Sequence, residues 1–392
     1  MIKKLSIILL LFLMTGCWNY QELNNISIST AITIDMNEDN EYEVSTLIAN
    51  SRKSQTSSQE SESQSVIYTG KGKTISEAFK DIDLYNPRKN YIGHVAVLVI
   101  SEEVAKKGLE NILDFFARNS ESTRRFQMII AKDDKAKDII KILTPLETYS
   151  AQNISSNLKY SKESQATSIS ILYSDFIYTL LEKGYDPILP SVILKGDKKD
   201  GSKDKSLQQT VPDAFIKIDN LAIFKDDKLM GFANKDESRG INLLKNSINE
   251  LTINIKLDDE YIAVKLTQSI TKNKVKFKDE PIIEVVINAN ALITEDNTKH
   301  NLEDEKVIKE IEKKIKSKIK SLANKGLEVS QKYKSDIFGY GNLIYKNYPK
   351  YFDKINNWNN EYQDLEVNIK VNVNIDTIGT SQITIKEAKN EN

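Results

Sequence analysis

The chain has 392 residues, with 55 Lys and Arg against 56 Asp and Glu, a formal net charge of −1, 40% hydrophobic residues and a single cysteine. That length exceeds what one hydrophobic core usually organises, so two or three domains are expected. The near-neutral balance lacks the concentrated basic footprint of a nucleic-acid partner, and a lone thiol excludes any intrachain disulfide framework.

The N-terminus is the first strong signal. Lys3 and Lys4 precede Leu5 to Met14, LSIILLLFLM, in which only Ser6 is polar. At about 1.5 Å of rise per residue this run is far too short for a bilayer core, which takes roughly 20 residues. Its length and flanks are those of a signal-peptide apolar region. It ends Leu13-Met14-Thr15-Gly16-Cys17, small residues before a cysteine, which resembles a bacterial lipobox with Met14 where Leu is more usual. The expectation is a signal peptide over 1–16 and a thioether-linked lipid on Cys17. Several acyl chains then give the stable anchoring that one chain alone supplies only marginally. No other stretch approaches membrane-spanning length, so an anchored, extracytoplasmic body is expected.

From 17 to 145 the pattern predicts an N-terminal α/β domain. Ile26 to Ile34 and Tyr42 to Ile48 read as strands around a polar turn, Met36 to Asn40. The Ser/Gln-rich tract 51–65 has nothing to bury and reads as a flexible loop. Val66 to Thr69 resumes an extended segment. Thr74-Ile75-Ser76-Glu77 has the capping-box pattern, opening a helix to about Tyr85 with Ala78, Ile82 and Tyr85 on one face. Val95 to Ile100, VAVLVI, reads as a buried central strand. Ser101-Glu102-Glu103 opens the next helix, carrying Leu109, Ile112, Phe115 and Phe116. Phe126 to Ala131 predicts a strand, and Ala136 to Leu143 a helix stopped by Pro145.

Residues 146–210 read as a largely helical middle region. Ile169, Ile171, Leu172, Phe176, Leu180 and Leu181 are candidate core positions, and the charged tract 196–210 is read as an exposed loop or linker before the C-terminal domain. Residues 211–392 predict a C-terminal α+β domain. Its strands are Leu251 to Leu257, Tyr261 to Gln268, Val275 to Phe277 and Ile282 to Ile293. Ile308, Ile311, Ile315, Ile319 and Leu322 then form one helical stripe, and Leu365 to Ile375 alternate as a long strand. A long helix on an antiparallel sheet buries both stripes. The fold class expected is mixed α/β or α+β, three domains of mixed or antiparallel sheets flanked by helices.

Catalytic chemistry finds little footing. The two histidines, His94 and His300, are far apart, and with Cys17 acylated no His/Cys zinc site or Cys-His nucleophile can be assembled. Gly72-Lys73-Thr74 ends like a phosphate loop, but Ile67 stands where its first glycine belongs. Asp226-Asp227 and Asp236-Glu237 sit among Gly, Lys and Asn, as turn and cap residues do. Eight lysines between Lys306 and Lys325 read first as a solvated face beside Glu310 and Glu312, with a face near anionic lipid as the functional alternative. No cofactor, metal or catalytic residue is expected.

The residues after Cys17 carry a resemblance. "GCWNYQELNNISI" is similar to the mature start of the Ger(x)C family, the C subunits of spore nutrient germinant receptors, through Cys17, Trp18, Asn19, Glu22, Leu23 and Asn24. "NYIGHVAVLVISEEVAKKGL" (90–109), "LDFFARNSESTRR" (113–125), "TPLE" (144–147), "GYDPILP" (184–190), "LAIFKDDKLMGFANKDESRGI" (221–241) and "SDIFGYGNLIYKNYPKYF" (335–352) resemble further family blocks in order. The resemblance implies three mixed α/β domains and no enzyme. It also implies a lipid-anchored subunit outside the spore inner membrane, working with an A-type and a transporter-like B-type membrane subunit. The alternative is a solute-binding lipoprotein serving a transporter. Glu237, Ser238, Arg239, Phe338 and Tyr340 are the candidate partner-contact residues.

Overall fold

The computed structural model describes residues 23–50 and 64–377, apart from positions 299 and 303. Cys17, the signal segment and all but the end of the polar tract at 51–65 lie outside the described residues.

β1 (Ile26–Met36) and β2 (Tyr42–Ala49) form the expected hairpin, and β3 (Ser65–Gly72) extends it. Asn37 Oδ1 accepts from Glu41 N–H across the turn (2.8 Å). α1 (Ile75–Ile82) opens as predicted, with the Thr74 hydroxyl accepting from Glu77 N–H and Ile75, Ala78 and Ile82 buried. It stops one turn early, because the chain folds back through bonds from Leu84 N–H to Asp81 O and Tyr85 N–H to Ile82 O. Tyr85 is therefore 65% exposed rather than on the buried face.

β4 (Lys89–Tyr91) lies beside the start of β1, and β5 (Val97–Ser101) is buried throughout. The single helix expected after Ser101 is two, α2 (Glu102–Lys107) and α3 (Glu110–Arg118). Gly108 between them has φ +122°, a conformation that ends a helix and suits only glycine. β6 (Gln127–Ala131) and α4 (Ala136–Lys141) follow. Asp35, at the far end of β1, caps α4 by accepting from Ala136 N–H (2.8 Å) and Lys137 N–H (2.9 Å).

The middle region departs from the expectation of a helical unit. α5 (Ser150–Ser164) and α6 (Tyr173–Leu181) are helical, but β7 (Ile188–Gly196) is a strand. The charged tract after it is no interdomain linker. It forms α7 (Lys198–Gly201) and α8 (Asp204–Leu207) at a hairpin that leads into β8 (Ala214–Lys225) and β9 (Lys228–Phe232). Of the candidate core positions here Ile169 and Phe176 are buried, whereas Leu181 is 78% exposed because α6 turns Tyr173 and Phe176 to the core.

The nine strands make one sheet in the order β3-β2-β1-β5-β6-β7-β8-β9, with β4 paired to β1. β1, β5, β6 and β7 run parallel, and antiparallel hairpins close each side. α1, α2, α3 and α6 cover one face and α4 and α5 the other, so the central strands read as unbroken apolar runs.

α9 (Lys235–Leu244) leads to the second sheet, β10 (Leu251–Leu257), β11 (Glu260–Phe277), β12 (Pro281–Asp296) and β13 (Val367–Thr377), in that order. The segments expected at 261–268 and 275–277 are one strand, continued through register shifts near Ala263 and Leu266. α10 (Glu305–Lys332) lays Ile311, Ile315, Ile319 and Leu322 on the sheet. α11 (Tyr340–Asn347), α12 (Pro349–Phe352) and α13 (Trp358–Asp364) return the chain to β13. This sheet is mixed rather than antiparallel, since β13 pairs parallel with β12. A strand reached by crossing back over helices re-enters in the direction of the one it left.

α9 and α10 cross at glycine. A Cβ on Gly240 would lie 1.9 Å from Leu322 O, and one on Gly326 2.5 Å from the Gly240 carbonyl carbon. Gly-to-Ala in a helix interior normally gains about 1 kcal/mol of propensity, while forcing extra volume into packed backbone costs about 1–3 kcal/mol. With backbone as the obstacle, the second effect wins. Gly240→Ala should lower stability in urea titration, and an unchanged or raised midpoint would mean that these helices separate freely.

Candidate functional site

The two sheets meet where the loop between α6 and β7 touches the turn between α10 and α11. Asp186 and Asp336 sit there, 4% and 0% exposed. Their main chains and side chains interlock. Asp186 N–H donates to Asp336 O (2.9 Å), and Asp336 N–H donates to Asp186 Oδ2 (2.9 Å). Asp186 Oδ1 accepts from Asp226 N–H, at the β8–β9 turn (2.9 Å). Asp336 Oδ1 accepts from Tyr340 N–H (3.0 Å), while Oδ2 accepts from Gly341 N–H (2.6 Å) and Trp358 Nε1–H (2.9 Å). The clamp thus joins α6–β7, β8–β9, α11 and α13.

Neighbouring bonds reinforce it. Ser335 Oγ donates to Phe224 O, Asn342 N–H donates to Gly184 O (3.1 Å), and Lys245 Nζ donates to Ile337 O (2.7 Å). Gly341 is packed against both Trp358 and Gly184, leaving no room for a side chain.

Burial pushes the carboxyls up, Asp186 to about 7 and Asp336 to about 6, with the backbone donors opposing. Asp336 also faces Asp186 as a like charge and adds to the rise at Asp186. Displaced carboxyl pKa values in a cleft often mark acid-base catalysis. Here each of the four oxygens is taken by a protein donor and both groups are buried, so the pair is built to hold elements together. Among the described residues, no group of three or more His, Cys, Asp and Glu could hold a metal ion.

The residues singled out from sequence fall around the same junction. Glu237 completes a capping box on α9, its Oε2 accepting from Asn234 N–H (2.6 Å) and Asn234 Oδ1 accepting from Glu237 N–H (3.0 Å). Ser238 Oγ accepts from Leu221 N–H of β8 (3.1 Å), and Arg239 Nε donates to Gln165 O (3.3 Å). Phe338 is half-buried and lies 5.3 Å from the Tyr340 ring. Ser238 and Tyr340 are wholly buried, so these two offer no surface to a partner and their place in the contact set is corrected. Asp227 caps α3 through Glu110 N–H (3.0 Å). Along α10, Lys309, Lys314 and Lys316 pair with Glu305, Glu310 and Glu312. Sequence reasoning missed the Asp pair itself. The available signal was an Asp flanked by Gly-Tyr and Pro before an apolar run, and a second Asp ahead of Phe-Gly-Tyr-Gly.

Residues 19–194 match the family model for the spore germination protein N-terminal domain, and residues 219–379 match the model described as spore germination B3/GerAC like, C-terminal. The chain belongs to the GerAC-like spore germination family. Spore germination protein KC of Bacillus subtilis (strain 168) is 28% identical over 98% of this chain and 98% of the relative. Spore germination protein B3 of the same organism is 22% identical over 96% and 98%. The crystal structure of the GerBC protein aligns with a TM-score of 0.56 at 16% identity, covering 88% of this chain and 97% of that one, which shows a shared fold. Asp186 falls in the first family segment and Asp226 and Asp336 in the second, so the clamp is the tie between them. The sheet boundary is later than the family boundary, because β8 and β9 complete the first sheet.

Two tests follow from this chemistry. The Tyr340 hydroxyl is buried without a hydrogen-bond partner among the described residues, whereas Tyr362 Oη meets Ser330 Oγ at 2.6 Å. Losing a made bond leaves Ser330 short of a partner and costs about 1–2 kcal/mol, while deleting an unmade one is neutral or stabilising. Tyr340→Phe should therefore hold or raise the denaturation midpoint and Tyr362→Phe should lower it. The reverse order would place the polar partner at the wrong tyrosine. For pH, an acid whose folded pKa lies above its unfolded value near 4 binds protons more tightly when folded. Asp186 then contributes most favourably below about pH 4, and that contribution is lost as pH rises toward about 7. Asp186→Asn should flatten the fall in stability between about pH 4 and 7, and an unaltered slope would show that Asp186 does not titrate there.

Proposed function

We propose that this chain is the lipid-anchored, non-catalytic C subunit of a spore nutrient germinant receptor, held by Cys17 on the outer face of the spore inner membrane. It works with A-type and B-type membrane subunits in receptor assembly or signal coupling that triggers germination. The observation carrying this reading is the end-to-end match to spore germination protein KC, 98% of both chains. A lipobox-like segment stands immediately before the first family block. A clamp that fixes two sheets as one body suits a subunit that passes displacement to neighbours, and the filled oxygens of Asp186 and Asp336 fit a structural role for that pair.

Deleting the chain should abolish germination by one nutrient class, tested across amino acids, sugars and bile salts, with a non-nutrient trigger still effective. Cys17→Ala should release the protein from the membrane fraction and reduce the same response. An unchanged response to every nutrient, in a strain lacking related receptors, would remove the receptor reading. Tight calorimetric binding of an amino acid or sugar by the purified chain would favour a solute-binding lipoprotein.

A further inference from the structure

We propose that the turn from Leu84 to Arg88 is a membrane-contacting tip that seats Leu84 and Tyr85 in the lipid interface beside the anchor. This rests on the reading of Cys17 as the lipidation site. Leu84 and Tyr85 are 78% and 65% exposed and adjacent. Isolated apolar side chains on a surface need no explanation, but this pair stands on a fixed turn at a defined place. Tyr85 and Asn86 N–H groups both donate to Ile82 O (3.0 Å each), and Asn86 Oδ1 accepts from Ser27 Oγ (3.0 Å) and Arg88 N–H (3.2 Å). β4 continues the tie, pairing Ile26 with Lys89 and Ile28 with Tyr91.

The described chain therefore begins alongside this turn. Ser27 is ten residues from Cys17, and ten fully extended residues span at most about 35 Å. A tether of that reach keeps this end of the first sheet near the bilayer and raises the local concentration of lipid around it. Charge does not set the contact: Lys80 pairs with Asp83 and Lys89 with Glu121. What remains is an aliphatic residue next to tyrosine, whose ring and hydroxyl suit the boundary between acyl chains and water. The opposite end of the sheet has its own exposed apolar residue, Val211, at the β7–β8 hairpin, 69% exposed. Because β1, β5, β6 and β7 are parallel, Val211 lies where these strands finish and Leu84 where they start.

The test uses the full-length lipidated chain in phosphatidylglycerol–phosphatidylethanolamine vesicles. The thioether to the lipid occupies the Cys17 sulfur, so Leu84→Cys and Val211→Cys each supply one free thiol for the same environment-sensitive fluorophore. Flotation with the vesicles reads the anchor, and quenching by spin-labelled lipid reads the tip. The expected result is flotation of both variants, with a blue shift and loss of emission at position 84 alone. Flotation with equal, unquenched emission at both positions overturns the tip and leaves the anchor standing. Failure to float overturns both. A shift at position 84 that appears only when membrane subunits are co-reconstituted, without lipid quenching, assigns the turn to a protein partner and also overturns the proposal.

Discussion

A carboxylate taken wholly out of water must find its donors within the fold, or its desolvation is left uncompensated. Asp336 meets that condition with Tyr340 N–H, Gly341 N–H and the Trp358 indole, and lends its own N–H to Asp186. Removing one partner would strand the others, which makes the arrangement all-or-none. The path of the chain after α10 follows from it. The left-handed turn at Gly339 (φ +70°) brings α11 under the carboxylate, Gly341 lets the Trp358 ring approach, and Trp358 fixes α13. The β8–β9 turn is drawn in through Asp226. A buried apolar cluster, Ile188, Leu221 and Ile223 of the first sheet against Ile241, Val329 and Ile337, bridges the two sheets, and the polar bonds beside it fix how they meet.

The second tie is made without polar groups. Gly240 and Gly326 bring the α9 and α10 backbones together, where any side chain would hold them apart. Shape keeps the helices in register and the acid pair keeps the loops there. Ser238 and Asn242, on the same short helix, use their side chains on Leu221 N–H and on the carbonyls of Ala166 and Ser168. α9 is thus a bracket between the sheets, and its few residues carry a large share of the specific contacts.

Much of the fold was legible because local signals agreed with tertiary ones. Val97 to Ile100 had to be a buried strand, Ile311 to Leu322 had to face a sheet, and Thr74 had to cap a helix. Strand order and domain limits were not legible in the same way. A charged tract such as 196–210 looks alike whether it links domains or decorates a hairpin, since the deciding partner of β8 is β7, across the tract. The direction of β13 was equally hidden, because alternation reports which face is buried and not which way the neighbour runs. At the junction, Glu237 read correctly as a cap residue. Asp186 and Asp336 did not stand out, as a buried acid has the same letter as an exposed one. Only the glycines and aromatics around them point to tight packing.

The parallel pairing of β13 has a consequence for how the molecule comes to be. Ile287 lies opposite Val371 and Ala289 opposite Val373, so β12 waits through the whole of α10 to α13 for its second neighbour. Contacts between such distant residues form late, after the loop between them has closed. Until then β12 offers an open edge and α10 packs on an incomplete platform. An open apolar edge is what invites pairing with another chain. A truncation that removes β13 would leave that edge permanently available, and the fragment would be prone to self-association even though its other three strands could still pair.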